Sequence, residues 1–284
     1  MPSLYRLQDP LPPLDAPVVV AAFDGWVDAG GAATGVIEVL AADAEPIATF
    51  DADELFDYRA RRPTLEIRDG RLASLDWPEV TMRVARFGGR DLLLLGGTEP
   101  DDRWHRFAAA VVQLLGMLGA REWVSLGAIP APVAHTRPVP ILGTASRGAE
   151  LRGGVSAGPT GLMRVPSAAL SMLEMAVAEA GTPAVGYFAQ IPHYVTGPYA
   201  LASLELMRAL EGHLGVSLPR GDLVEEGRKL RARLDAATVA DETTRTYVER
   251  LESMVDEARQ PEGGDLIAQI ERFLREGGTE DTQA

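Results

Sequence analysis

Short, continuous apolar runs alternate along the chain with segments of helical period. The runs are Val18 to Phe23, Leu92 to Leu95 and Ala184 to Ala189, which are typical of strands buried on both faces of a sheet. Trp123 to Gly127, with Ser125 at its centre, predicts a fourth strand. Between two of these strands, from Trp104 to Leu118, apolar residues recur every three or four positions. This alternation predicts an α/β fold in three layers, with helices on both faces of a mixed, mainly parallel sheet.

The remaining pattern adds elements to this core. A helix from Ala29 to Ala42 and a strand from Ile47 to Phe50 follow the first run and predict a βαβ opening. Strands are also predicted at Thr64 to Arg68 and at Val80 to Phe87, beyond an Asp-Gly turn signal, and we expect both to extend the sheet. Two more helices are predicted, one capped by Ser167 and ending near Ala180, the other from Tyr199 to His213.

The organisation predicted from these patterns has four parts. They are an extended N-terminal segment (1–17), an α/β core domain (18–215), a helical C-terminal extension (222–275) and a disordered tail (276–284). Between Asp222 and Arg259, mixed charges surround apolar residues at helical spacing, which indicates either one long helix or a hairpin bent near Asp241. A last short helix is predicted from Leu266 to Leu274.

Composition and net charge argue against several classes of function. The formal charge of -14, from 41 acidic and 27 basic residues, disfavours binding to nucleic acid or to anionic membranes. With no cysteine there is no disulfide, thiolate metal site or cysteine nucleophile, as is usual in a reducing cytoplasm. No signal peptide and no run of roughly 18 apolar residues is found. We therefore expect a cytoplasmic protein without a metal or a cofactor.

A glycine-rich segment joins the first strand to the first helix, from Gly25 to Gly35. Strand-to-helix loops of α/β folds often hold ligands, and glycines let backbone amides approach a phosphate or carboxylate. However, the spacing matches neither the dinucleotide fingerprint nor the P-loop, and Asp24 and Asp28 would repel an anion. A tight structural turn is the preferred interpretation, and an anion pocket is the alternative.

Two further residues are candidates for chemistry. Ser156, in Gly154-Val155-Ser156-Ala157-Gly158, matches the nucleophile elbow of serine hydrolases formally, but a strand before it and a helix directly after it are both missing. His193 follows a predicted strand and is a candidate general base or a hydrogen-bonded structural residue. The four histidines are too dispersed to form a local metal motif.

The residues predicted to line a pocket share one edge of the sheet, because the carboxyl ends of parallel strands meet there. They are Asp24, Gly25, Asp28, Gly97, Thr98, Glu99 and His193.

One basic patch, Tyr58 to Pro63, stands out in this acidic chain. Asp51, Asp53, Glu54 and Asp57 precede it closely, so local charge compensation is the simpler explanation. The alternative is a contact with another protein, for which arginine is favoured by its bidentate hydrogen bonding. The predicted protein-contact residues are Trp26, Tyr58, Arg59, Arg61 and Trp104.

These segments together resemble the proteasome assembly chaperone 2 family, especially its actinobacterial members. The similar motifs are Phe23-Asp24-Gly25-Trp26 with Asp28 to Ala33, Asp57 to Pro63, Leu75 to Pro78, Gly97 to Asp101 with Trp104 and Phe107, and Pro192 to Val195 with Pro198-Tyr199. The resemblance covers about residues 15 to 260 and is specific only in combination.

This resemblance implies a phosphorylase/hydrolase-like α/β/α core with a helical C-terminal addition. It also implies a chaperone or adaptor that self-associates, with proteasome subunits as partners and with no catalytic residues to carry over. Some archaeal relatives dock through a C-terminal tail that holds a hydrophobic residue, a tyrosine and one further residue. This sequence ends instead in Thr279-Glu280-Asp281-Thr282-Gln283-Ala284.

Two functional hypotheses follow. The first is a non-enzymatic, homo-oligomeric, protein-binding chaperone or adaptor, which rests on the resemblance and on the lack of an intact catalytic motif. The second is a phosphorylase-like enzyme that acts on a nucleoside or another small molecule. Its support is the set of glycine-rich strand ends, with Asp24, Glu99 and His193 as polar groups.

Overall fold

The computed structural model describes residues 3–259 of the chain. The strands in that range are β1 (Tyr5–Leu7), β2 (Val18–Asp24), β3 (Pro46–Phe50), β4 (Thr64–Arg68), β5 (Arg71–Asp76), β6 (Val80–Phe87), β7 (Arg90–Thr98), β8 (Glu122–Ala131), β9 (Ile141–Ala145) and β10 (Ala184–Pro192). The helices are α1 (Ala32–Leu40), α2 (Ala52–Leu55), α3 (Trp104–Leu118), α4 (Ala169–Glu179), α5 (Ala200–Leu214), α6 (Leu223–Ala240) and α7 (Glu242–Arg259). A 3₁₀ turn, Ala29–Gly31, precedes α1.

The main sheet of the described residues has the order β1-β3-β6-β7-β2-β8-β10-β9. Its centre, β7-β2-β8-β10, is parallel throughout, which confirms the prediction that these four segments are buried strands of a mainly parallel sheet. The strands outside this centre pair antiparallel, with β9 on one side and β6, β3 and β1 on the other. The predicted mixed, mainly parallel sheet is therefore confirmed.

Helices cover both faces of this sheet, as predicted. The side chains of Val20 and Leu94 point into the cluster that packs against α1, α5 and α6. Their neighbours Val19 and Leu93 point to the other side, against Phe107 of α3 and the apolar residues of α4. Because successive side chains of a strand alternate in direction, a central strand with two covered faces needs a continuous apolar run.

The hairpin β4–β5 departs from the prediction. The sequence predicts that Thr64 to Arg68 extends the main sheet, but within residues 3–259 β4 pairs only with β5, in a separate two-stranded sheet. The turn between them contains Asp69 and Gly70, both at positive φ. The Asp-Gly signal therefore closes a local hairpin, and β6 alone joins the main sheet.

The C-terminal helices α6 and α7 meet at Asp241, which is extended (φ -125°, ψ 119°). Its carboxylate accepts hydrogen bonds from the backbone N–H and the hydroxyl of Thr244, at 2.7 and 2.5 Å, and so caps the start of α7. The bend near Asp241 is therefore the correct one of the two alternatives. The predictions of a short helix from Leu266 to Leu274 and of a disordered tail lie outside the described residues.

No helix within residues 3–259 is both long and apolar enough to span a bilayer.

Candidate functional site

The carboxyl edge of the parallel strands collects most of the predicted pocket residues. Asp24 and Thr98 are register partners at the ends of β2 and β7. His193 directly follows β10, which runs parallel to β8 and therefore to β2. Asp24, Gly25, Gly97, Thr98 and Glu99 lie together, whereas Asp28 and His193 make other contacts.

Glu99 is the buried centre of this edge. One carboxylate oxygen accepts a hydrogen bond from the backbone N–H of Trp26 at 3.1 Å, and the other accepts one from the N–H of Ala169 at 2.7 Å. Its own N–H donates to the carboxylate and to the carbonyl of Asp24. Glu99 thus connects the loop after β2, the end of β7 and the start of α4, and its side-chain acceptors serve the fold.

This contact corrects the predicted cap of α4. The residue at the cap position is Ala168, which has no capping group, and the hydroxyl of Ser167 donates to the carbonyl of Ala168. The carboxylate of Glu99 accepts from the first N–H of the helix instead. A negative charge is favourable there, because free N–H groups and the helix dipole meet at this end.

Two glycines of the edge are required for close packing. A Cβ on Gly25 (φ 137°) would lie 2.5 Å from a carboxylate oxygen of Glu99. A Cβ on Gly97 (φ 129°) would lie 2.0 Å from the carbonyl oxygen of Glu79. Both positions also have a backbone conformation that disfavours other residues. The space beside these glycines is filled by the protein itself.

Asp28 occupies the N-terminal end of α1. Its carboxylate accepts hydrogen bonds from the N–H groups of Ala33 and Thr34, at 2.7 and 3.3 Å, and from the hydroxyl of Thr34. Burial raises the pKa of Asp28, and these hydrogen bonds oppose the shift. An internal carboxylate therefore sits where an incoming anion would bind, which favours the structural-turn interpretation of the glycine-rich segment.

Both ring nitrogens of His193 are engaged. Nδ1 lies 3.0 Å from the carbonyl oxygen of Ala131, so it carries the proton and donates. Nε2 then accepts from the hydroxyl of Tyr247 in α7, at 2.7 Å. This arrangement gives His193 a structural contact with the C-terminal helices and leaves no free nitrogen for a general base.

The contact surface between the core and the C-terminal helices α6 and α7 also includes His135. Its Nδ1 lies 2.6 Å from the hydroxyl of Tyr194, and Arg231 of α6 donates to its carbonyl oxygen at 2.8 Å. Burial lowers the pKa of His135, although the nearby Asp235 carboxylate opposes the shift. Val248 and Leu251 of α7 add apolar contacts to this surface by packing on Ala134 and Tyr194.

Intramolecular pairs account for part of the basic patch. Arg61 donates to Asp101 at 2.9 Å and to Asp24 at 3.3 Å. The hydroxyl of Tyr58 donates to Asp53 at 2.7 Å, and burial together with this hydrogen bond raises the pKa of Tyr58 to about 12. For these two residues the geometry favours local charge compensation.

The other predicted protein-contact residues, Trp26, Arg59 and Trp104, differ in how exposed their side chains are. The indole of Trp26 is 64% exposed, although the backbone of this residue is tied to Glu99. Arg59 is exposed, and its guanidinium makes no ion pair with any residue from 3 to 259. Trp104 is half-buried and donates its indole N–H to the carbonyl of Pro100 at 2.7 Å. Trp26 and Arg59 are therefore the members of this set with free side chains.

The β4–β5 hairpin exposes an apolar surface that the sequence patterns did not reveal. Leu65 opposes Leu75, and Ile67 opposes Leu72, so these four side chains share one face. All four are exposed, Leu72 by 76%. The opposite face carries polar and charged residues, among them Glu66, which pairs with Arg68 at 3.1 Å. We name the four-residue face the hairpin apolar face.

This hairpin is attached at the same carboxyl edge. The ring of Trp77, which follows β5, packs edge-to-face on Tyr58, with ring centroids 4.8 Å apart. A second exposed apolar segment, with Leu162, Met163 and Val165, leads into α4 beside Glu99. Exposed apolar side chains thus concentrate at one edge, a distribution typical of protein interaction sites.

The geometry does not build a hydrolase site around Ser156. Residues 154–158 form a loop, in which Ser156 accepts a backbone hydrogen bond from Gly143 of β9, and the next helix begins only at Ala169. A nucleophile elbow requires a strand and a helix directly flanking the serine. Within residues 3–259, no group of three or more His, Asp or Glu side chains is placed to hold a metal ion.

Comparison with known proteins agrees with this architecture. Residues 22–238 match the PAC2 family. A protein of unknown function from Corynebacterium glutamicum is 31% identical, with a TM-score of 0.84 over 89% of this chain and 97% of that one. A proteasome-assembly chaperone homologue from Mycobacterium tuberculosis is 34% identical, with a TM-score of 0.74 over 81% of this chain and 99% of that one.

A more distant similarity shows the fold alone. An archaeal proteasome activator from Pyrococcus furiosus is 14% identical, with a TM-score of 0.64 over 82% of this chain and 97% of that one. No curated protein matches the sequence.

Proposed function

Because this chain belongs to the PAC2 family, we propose that it is a cytoplasmic, non-enzymatic chaperone or adaptor that binds proteasome subunits. The similarity to a proteasome-assembly chaperone homologue supports this choice of partner. The observation that carries the protein-binding role is the hairpin apolar face, which is exposed over four large side chains at the carboxyl edge.

The energetics of the hairpin support a binding role. A two-stranded sheet alone is marginally stable in water, so an apolar face that covers no part of its own fold gains stability only when a partner covers it. Burying apolar surface contributes about 25 cal/mol per Å². Every residue of β4 and β5 is exposed, so the hairpin apolar face is open to solvent.

Self-association is part of the proposal. The hairpin apolar face belongs to a structured element of the fold, and an apolar patch can be covered by the same patch of a second copy. A symmetric oligomer uses the same surface of each subunit or joins unlike surfaces around a closed ring. Trp26 and Arg59, with their free side chains, and the exposed segment before α4 remain available for the proteasome subunit.

The partner is tested by affinity capture from the native cell. The tagged chain is expected to retain proteasome subunits, identified by mass spectrometry, and the Trp26→Ala variant to retain less of them. Another exposed apolar residue, Val239 of α6, lies outside the edge and provides the control as Val239→Ala. Loss of capture in both variants, or in neither, would contradict a role for the carboxyl edge.

The enzyme alternative is tested on the same preparation. A nucleoside or inorganic phosphate that binds the folded state raises the melting temperature by mass action. We expect no shift with either ligand, because Asp28, Glu99 and His193 already make hydrogen bonds within the chain. A shift with a nucleoside or with phosphate, without capture of any proteasome subunit, would favour the enzyme.

A further inference from the structure

A groove with a volume of about 960 Å³ runs along α1. One wall is formed by α1 and the turn after it, another by the end of β6, and a third by the segment from Pro219 into α6. None of its lining residues belongs to the hairpin, to Trp26 or to the segment before α4. The groove is therefore separate from the surface assigned to proteasome binding and self-association.

Apolar side chains line part of the groove. Val39 of α1, Phe87 of β6 and Leu223 of α6 come from three different elements. All three also belong to, or pack against, the core cluster on the α1 face of the sheet. Because the core holds these side chains, the groove has a preformed apolar lining.

Four carboxylates supply the charge of the groove. Glu38 and Asp43 lie on one side, and Asp222 and Glu226 lie on the other. All four are exposed, and none makes an ion pair or a side-chain hydrogen bond with another residue in the range 3–259. Arg86, a basic residue in the lining, is already bound to Asp91 at 2.6 Å and to the carbonyl of Pro13.

The groove continues into a second cavity of about 600 Å³. The two share Pro198, Ala200 and Glu226. The second cavity is also lined by Arg228, Lys229 and Arg233 of α6. Arg228 and Lys229 share one carboxylate, that of Glu225, at 2.8 and 3.4 Å, so the three cations together keep an excess of positive charge. The sign of the lining charge therefore changes from negative to positive past Glu226.

We propose that this groove binds a segment of a partner polypeptide in which lysine or arginine residues alternate with aliphatic ones and are followed by acidic residues. Lysine and arginine side chains suit the first cavity in two ways. Their methylene stems pack on its apolar lining, and their charged heads meet its carboxylates. Charge complementarity across such a surface governs the choice of partner and the rate of encounter. An anion such as a nucleotide is repelled by the same four carboxylates.

The second cavity distinguishes a polypeptide from a polyamine. A polyamine carries positive charge along its whole length, so Arg233 and the positive charge of Arg228 and Lys229 that Glu225 leaves uncompensated would repel its far end. A polypeptide can change sign along its length and use both cavities. The occupant of the groove need not be a proteasome subunit, so this inference does not depend on the proposed function.

The test is fluorescence anisotropy on the full chain. The probe is a fluorescein-labelled peptide with a Leu-Lys repeat followed by a Leu-Glu repeat. The groove variant combines Glu38→Gln, Asp43→Asn, Asp222→Asn and Glu226→Gln. The charge-matched control combines Asp102→Asn, Glu150→Gln, Glu179→Gln and Glu249→Gln, four exposed carboxylates that do not line the groove.

We expect the groove variant to bind the peptide about tenfold more weakly at low salt, since each exposed ion pair contributes little alone and four act together. The control is expected to bind like the unmodified chain. A second variant, Ala42→Arg, places a cation in the lining at an exposed position without emptying the core, and it should weaken binding as well. Equal weakening in the groove and control variants, or equal binding of spermidine and the peptide, would overturn the proposal.

Discussion

The carboxylate of Glu99 accepts a hydrogen bond from the backbone N–H of Ala169 at 2.7 Å, across 70 positions of the chain. This contact holds the start of α4 against the end of β7, and through Trp26 it also fixes the loop after β2. Two exposed apolar segments, one at Trp26 and one just before α4, are therefore positioned by a single buried side chain.

Replacing Glu99 should destabilise the fold. In Glu99→Gln the single carbonyl oxygen can accept from Trp26 or from Ala169, and the amide nitrogen then faces the other N–H. Because a buried donor left without a partner is costly, we expect the free energy of unfolding to fall by about 1–3 kcal/mol, measured by urea denaturation. Asp102→Asn removes a nearby exposed carboxylate and should change little. Equal loss in the two variants would contradict the role of Glu99.

Glu174 of α4 should make stability depend on pH. Its carboxylate accepts from Thr144 at 3.0 Å, and burial raises its pKa above the ordinary value of 4.5. A carboxyl whose pKa is higher in the folded state contributes stability below the unfolded pKa and loses that contribution as the pH rises through the folded pKa.

Glu174→Gln should therefore stabilise the protein at neutral pH, because the amide is never ionised. The difference in the free energy of unfolding between Glu174→Gln and the unmodified chain should shrink as the pH falls toward 4.5, because the carboxyl of Glu174 becomes protonated and is then uncharged like the amide. Urea denaturation at several pH values measures the difference. A gain that stays constant over this range would show that ionisation of Glu174 is not its cause.

Self-association should depend on the hairpin apolar face. Leu72→Asp places a charge at a position that is 76% exposed in the subunit, so folding is expected to be unaffected while association is lost. Arg71→Asp changes the neighbouring residue, which lies on the opposite face. In sedimentation velocity, Leu72→Asp should be monomeric and Arg71→Asp should match the unmodified oligomer. A monomeric unmodified chain at micromolar concentration would contradict the proposal.

The attachment of α7 should weaken when the Tyr247 hydroxyl is removed. In Tyr247→Phe, Nε2 of His193 loses its 2.7 Å partner, while Val248 and Leu251 still pack on the core. Amide hydrogen exchange within residues 242–254 should accelerate by about 2- to 10-fold, as expected for one lost hydrogen bond. In Tyr5→Phe, a control whose hydroxyl makes no hydrogen bond within residues 3–259, exchange in α7 should not change.

The central fold could be predicted because its signal is local. A strand buried on both faces is almost entirely apolar, and the segments that form β2, β7, β8 and β10 have this property. One exception is Ser125 of β8, whose hydroxyl accepts a hydrogen bond from the indole N–H of Trp123 at 2.7 Å. The order of the outer strands depends on contacts between segments that are distant in sequence. Residues 46–50 form a strand as predicted, but β6 and β7 lie between it and β2, which no property of the βαβ pattern reveals.

The hairpin and the Glu99 contact show what the sequence could not predict. Leu65 and Ile67 alternate with polar residues, and Leu72 and Leu75 follow the Asp69-Gly70 turn, so a hairpin signal was present. Such a pattern normally predicts that the apolar face is buried, and here it is exposed. The cap of α4 by Glu99 was not predictable, because the two residues meet only through the packing of the whole domain.

Direct binding between purified components tests the central claim, that the chain acts by binding proteasome subunits. Purified proteasome subunits from the same cell would be titrated into the chain and followed by analytical ultracentrifugation. We predict a complex of defined stoichiometry that weakens in Trp26→Ala and persists in Val239→Ala. If the unmodified chain and the proteasome subunits sediment independently at micromolar concentrations, the account is contradicted.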